Sequence, residues 1–304
     1  MAYRFDYDRD TLADIPVKGA ESFGDLPALG MAGAEALSYR DLERLTRRLA
    51  ARLGLMGVKQ GDRVALLSEN RPEWGVASLG IARAGAVAVP ILIDFPAEQV
   101  LNILAHSGAS VLIASARQRK KLEGRTLPAL ITVEELASPH DSESPEDARL
   151  VAAAAAFAPP PISPSDLAAI VYTSGTTGLS KGVMLTHRNY LADALGCEII
   201  IVLDPRDVLL SILPLAHAYD YTIGFLIPMM SGAQVRYLDR PPSASVLLPA
   251  LASIRPTIVL SVPLVIEKVY KSGVKPGLEK IPLYRLPPFR PFLEIGRASC
   301  RERV

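Results

Sequence analysis

AAIVYTSGTTGLSKGVMLTHRN, residues 168–189, divides into an apolar β-branched run, a Gly/Ser/Thr loop carrying one lysine, and a second apolar run. Ile170, Val171 and Tyr172 suit a buried strand, and Val183, Met184 and Leu185 suit another. Between them, glycines let the backbone curl so that successive N–H groups face one concavity, which favours an anion. Hydroxyls at Ser174, Thr176 and Thr177 add donors, and Lys181 supplies a mobile positive charge. That combination reads as a polyphosphate clamp. A plain polar hairpin loop is the competing reading. A Walker loop is excluded, because the fifth residue after Gly175 is Ser180 where the pattern needs glycine, and because a strand follows instead of a helix.

TSGTTG at 173–178 followed by Lys181 and Gly182 resembles the phosphate-loop signature of the adenylate-forming enzymes, which include acyl-CoA synthetases, luciferases and nonribosomal adenylation domains. Ser180 departs from it, since the family usually has proline there; losing the ring loosens the loop slightly and removes no phosphate contact. The resemblance implies an α/β fold of stacked, mainly parallel sheets flanked by helices, the incomplete N-terminal domain of such an enzyme. It also implies that Thr173, Ser174, Gly175, Thr176, Thr177, Gly178 and Lys181 bind ATP, with Lys181 acting in catalysis.

LPLAHAYDYTIG, residues 213–224, resembles a second motif of the family, in which a proline followed three residues on by histidine ends a strand beside the acyl pocket. Pro214 and His217 match that spacing, so the resemblance gives His217 the task of seating the substrate carboxylate and the developing acyl-phosphate. An imidazole can donate the hydrogen bond this requires. A satisfied core histidine is the alternative. The same segment, with VPLVIEKVY at 262–270, is similar to the long-chain fatty-acid branch, where Asp220 commonly stands as glutamate. Ile223, Phe225, Leu226, Ile227, Met229 and Met230 would line an acyl tunnel or pack the core.

The implied reaction joins a fatty acid to coenzyme A through an acyl-adenylate, with ATP and Mg2+ as the further requirements. Other adenylating enzymes, and a non-catalytic nucleotide-binding truncation, are the alternatives. The family's later motifs for adenine, ribose, Mg2+ and coenzyme A do not occur in the 304 residues, so the chain is expected to be an inactive front portion.

Outward from the loop, strands and helices alternate, which argues for a mainly parallel sheet covered on both faces. Ser38 is placed to cap a helix whose apolar positions are Leu42, Leu45, Leu49, Leu53 and Met56. RVALLS, AVAVPI and SVLIAS read as strands, and Asn70 with Glu73 marks a helix start that turns Trp74 inward. His106 falls on a helix over about 96–106 and reads as ordinary surface or core. His187 with Asn189 reads as helix capping. The acidic, alanine and proline tracts of 139–164 read as a linker with one helical turn, and His140 within it carries no role. The division is a first α/β subdomain at 1–138, the linker, a second subdomain at 165–293, and a tail at 294–304. That tail, EIGRASCRERV, resembles an adaptor-derived translation fused to a truncated frame.

A net charge of +1 argues against nucleic acid or an anionic membrane as the main partner. Setting the tail aside removes Cys300 and leaves Cys197 alone, consistent with a reducing, cytoplasmic location. The amino terminus lacks a signal-peptide apolar run. A lipid substrate would allow peripheral membrane contact, although no amphipathic anchor stands out. Oligomeric state is not legible.

Overall fold

Helix Tyr39–Leu55 begins where its cap residue demands. Asp41 N–H donates to the Ser38 hydroxyl at 3.0 Å, and Ser38 N–H donates back to the Asp41 carboxylate at 3.1 Å. This reciprocal box contributes about 1 kcal/mol. Leu42, Leu45, Leu49 and Leu53 are no more than 2% exposed, whereas Met56 lies past the helix end at 39%. The computed structural model describes residues 5–136, 145–173 and 181–275.

The described strands are β1 (Pro27–Met31), β2 (Ala36–Ser38), β3 (Arg63–Leu67), β4 (Val87–Pro90), β5 (Val111–Ala114), β6 (Ala129–Thr132), β7 (Leu167–Thr173), β8 (Lys181–Thr186), β9 (Val208–Ser211), β10 (Gln234–Tyr237) and β11 (Ile258–Val259). They form two sheets. One runs β6-β5-β3-β4-β7-β8 and is parallel except for its last pair. The other runs β11-β9-β10-β1-β2 and is parallel except for β1 with β2. Each sheet takes strands from both sides of 139–164: β7 pairs with β4, and β10 with β1. The two stretches read as successive subdomains are therefore interleaved in space. The linker itself holds helix Pro145–Ala155, about three turns at 3.6 residues each where one was expected. It packs on helix Tyr39–Leu55, with Arg48 and Asp147 3.7 Å apart.

Helix Pro72–Arg83 joins the two sheets, meeting β1 of one and β3 and β4 of the other. It is buried at every position except Glu73, as a helix apolar on all sides must be. Gly75 permits the approach: a Cβ there would stand 2.7 Å from Phe225 and 2.9 Å from Leu29. Arg83 ends the helix inside the protein and is neutralised there by Glu43 at 3.0 Å, with the Glu43 carbonyl at 2.8 Å. Asn70 does not cap this helix; Arg71 occupies the N-cap position and Asn70 reaches across to the other sheet. Phe225, Leu226, Ile227, Met229 and Met230 pack into the main core, with Ile223 against it.

Candidate active site

The two runs flanking the Gly/Ser/Thr loop are strands, and they pair antiparallel so that Thr173 stands opposite Lys181. Ser174, Gly175, Thr176, Thr177, Gly178 and Ser180 lie outside the described residues. The first strand, β7, is half buried and held by β4. The second departs from the sequence expectation: β8 is the sheet's edge, and Val183 and Met184 are 45% and 61% exposed. An apolar run specifies a strand, but what covers it depends on the rest of the molecule. Lys181 and Thr173 are both exposed, and Lys181 has no ion-pair partner among the described residues. The loop's root is pinned from behind by a bond the sequence did not disclose. The Tyr172 hydroxyl and His106 Nδ1 are 2.7 Å apart, with the rings edge to face.

Pro214 and His217 also form a unit, for a local reason. His217 N–H donates to the Pro214 carbonyl at 3.0 Å, a tight turn that buries Leu215 and Ala216 and leaves His217, Ala218 and Tyr219 in solvent. His217 is therefore an exposed imidazole at the crest of an arch and not a satisfied core histidine. Tyr221 N–H then donates to the His217 carbonyl at 3.0 Å and starts the π-helix Asp220–Leu226.

Arch and hairpin share a wall. Leu215, Ala216 and Ala218 line the same narrow apolar cleft as Ala168, Ala169 and Val171 of β7. Trp74 and Tyr221 close it, their rings edge to face at 5.6 Å, and the Tyr221 hydroxyl meets Ser78 at 2.8 Å. Burial raises the pKa of Tyr221, so its hydroxyl stays a neutral hydrogen-bonding group. Trp74 Nε1 has no hydrogen-bond partner among the described residues. The cleft thus offers an apolar surface with a few polar points, beside an exposed imidazole and a strand that leads into the loop.

The burial of two further groups escaped the sequence reading. Asp220 is fully buried in an apolar helix; it accepts from Ser211 Oγ at 2.9 Å, and desolvation pushes its pKa up to about 7. His187 is buried beside the cap that Thr186 and Asn189 form, and its Nδ1 accepts from Leu12 N–H at 3.2 Å. Desolvation lowers its pKa to about 4. Asn189 does serve the cap, but its partner is Thr186. Among the described residues no group of three or more His, Cys, Asp or Glu side chains could hold a metal ion. No described helix is long and apolar enough to cross a membrane.

A family model described as AMP-binding enzyme matches residues 17–296. The long-chain-fatty-acid–CoA ligase FadD15 of Mycobacterium bovis (strain ATCC BAA-935 / AF2122/97) is 37% identical over 241 residues, 74% of this chain and 38% of that protein. The 3-[(3aS,4S,7aS)-7a-methyl-1,5-dioxo-octahydro-1H-inden-4-yl]propanoyl:CoA ligase of Rhodococcus jostii (strain RHA1) is 34% identical over 238 residues, covering 72% and 45%. A fatty acyl CoA synthetase from Mycobacterium tuberculosis superposes with a TM-score of 0.73 at 27% identity, covering 88% of this chain and 52% of that one. The chain spans less than half the length of these two curated relatives.

Proposed function

The chain belongs to the AMP-binding enzyme family, and from that footing we propose that it is the front portion of an ATP-dependent, AMP-forming ligase that joins long-chain fatty acids to coenzyme A. The observation that carries the reading is the shared wall. The arch of His217 and the strand that ends at Thr173, opposite Lys181, border one apolar cleft. A carboxylate at the mouth of that cleft would have its chain against apolar residues and its head beside an imidazole.

In the first half-reaction a carboxylate oxygen attacks the α-phosphorus of ATP; the bond from that phosphorus to the bridging oxygen breaks and pyrophosphate leaves. Lys181 and the hydroxyl-rich loop would hold the departing phosphates, and His217 would donate a hydrogen bond to the carboxylate as its charge redistributes. In the second, the coenzyme A sulfur attacks the acyl carbon, the carbon–oxygen bond to AMP breaks, and the thiol proton is released. Mg2+, when bound with the triphosphate, would neutralise charge on the phosphate oxygens. ATP and coenzyme A suit a cytoplasmic setting.

The long-chain assignment draws on LPLAHAYDYTIG and on the likeness to FadD15. The likeness to the Rhodococcus jostii enzyme favours a second reading, in which the acid is a bulky ring-bearing propanoate. An acid panel decides between them. With the longer protein that contains this chain, coenzyme A-dependent AMP formation should be fastest with long-chain fatty acids and poor with ring-bearing propanoates. The reverse order would refute the long-chain reading.

A further inference from the structure

The arch that lifts His217 is fastened at both feet by one continuous set of hydrogen bonds. Its first foot is the end of β9 with Leu213 and Leu215. Asn70 Nδ2 donates to the Ser211 hydroxyl at 3.0 Å and to the Leu213 carbonyl, and Leu215 N–H donates to Asn70 Oδ1 at 3.0 Å. Its second foot is Asp220. Ser211 Oγ, already accepting from Asn70, donates its own proton to Asp220 Oδ2 at 2.9 Å and so closes the arch across nine residues. Both donors of the Asn70 amide group and the hydroxyl proton of Ser211 are thereby committed.

Packing stability is a poor reason for a carboxyl group here. Asp220 is 0% exposed, and its Oδ1 has no partner among the described residues. Burying such a group with a single hydrogen bond is costly, and an apolar residue of similar volume would be cheaper. The surroundings are nevertheless shaped for it. A Cβ at Gly224 would stand 2.4 Å from Asp220 Oδ1, so the glycine leaves room for the oxygen. Ser211 of β9 is the group that bonds it, and the buried Tyr237 of β10 lies close enough to feel its charge. No cation neutralises it among these.

We propose that Asp220, acting through Ser211 and Asn70, is a positioning residue that fixes the arch and hence the orientation of His217, whose neighbours Ala216 and Ala218 line the cleft. The inference rests on the role given to His217 above. It also accounts for Asn70 leaving the helix cap its sequence position offers: the same side chain holds the arch to the helix that joins the two sheets.

The test uses histidine-labelled 304-residue chain, in which the rings of four histidines are resolved by nuclear magnetic resonance. Ser211→Ala, Asn70→Ala and Asp220→Leu should each move or broaden the His217 ring signals. The His106 signals, anchored by Tyr172, should stay in place and report an intact fold. Asp220→Asn, whose amide oxygen accepts the same bond from Ser211, should retain the wild-type His217 signals. In the longer protein Ser211→Ala should lower kcat about ten- to a hundredfold, as a small misplacement does, with the KM for ATP unchanged and Asp220→Asn again close to wild type. His217 signals unaltered in folded Ser211→Ala would overturn the proposal. Full activity in His217→Ala would instead refute the role of His217 while leaving the signal shifts intact, so the two failures are distinguishable.

Discussion

Two buried ionisable residues set opposing pH slopes on stability. His187 titrates near 4 in the folded chain against 6.5 when free. As pH falls through that window the unfolded chain takes up a proton that the folded chain refuses, so stability is lost. Asp220 titrates near 7 against 3.8. As pH rises from about 4 to about 7 the unfolded chain has released a proton that the folded chain keeps, and stability is again lost. The effects amount to about 3 kcal/mol for His187 and about 4 kcal/mol for Asp220, and between pH 4 and 6.5 they oppose one another. Thermal midpoints measured across that range should be nearly flat for the wild type. They should rise with pH in Asp220→Asn, where only the His187 slope survives, and fall with pH in His187→Asn. Parallel profiles in the two variants would exclude this assignment. Neither residue was legible as such. His187 sits in a good capping sequence, and Asp220 in an apolar run; burial of either depends on Leu12 and Ser211, which local pattern does not connect to them.

At the scale of elements, helices were read best where cap and periodicity agree. Ser38 with Leu42, Leu45, Leu49 and Leu53 is such a case, and Ser38→Ala should cost about 1 kcal/mol in a denaturant titration with an unchanged slope. A null effect would mean that the cap bonds are replaced by water. Gly75→Ala tests the central helix. Because a Cβ there would meet Phe225 and Leu29 below 3 Å, it should destabilise by about 1–3 kcal/mol. A stabilising outcome, as expected for glycine to alanine in an ordinary helix, would contradict that packing. Asn70 was misjudged because its cap pattern with Glu73 is local, whereas its bonds reach Ser211 and Leu215, more than 140 residues away. β8 was read as buried for a related reason: Val183 and Met184 satisfy the pattern of a core strand while lying at a sheet edge.

At the scale of the molecule, strand–helix alternation gave the α/β class and the parallel pairing, but not which strands meet. The stretch over 139–164 looked like a boundary because acidic, alanine and proline tracts break the texture. β4 with β7 and β1 with β10 nonetheless pair across it, and helix Pro145–Ala155 packs within it. The loop signature between β7 and β8 was legible because spacing and residue type suffice to recognise it; the cleft it borders was not, since its walls come from widely separated stretches of chain between Leu12 and Tyr221. With less than half the length of its curated relatives, the 304-residue chain alone should form no acyl-adenylate from oleate and ATP. Radiolabelled adenylate recovered from that mixture would show that the front portion suffices.

The most direct test of the loop as a triphosphate grip is ATP–pyrophosphate exchange with oleate, comparing the longer protein with its Lys181→Ala variant. Loss of a charge-assisted contact to the leaving phosphates should slow exchange about ten- to a hundredfold, or roughly 1.5–3 kcal/mol. Exchange at the wild-type rate would contradict the account.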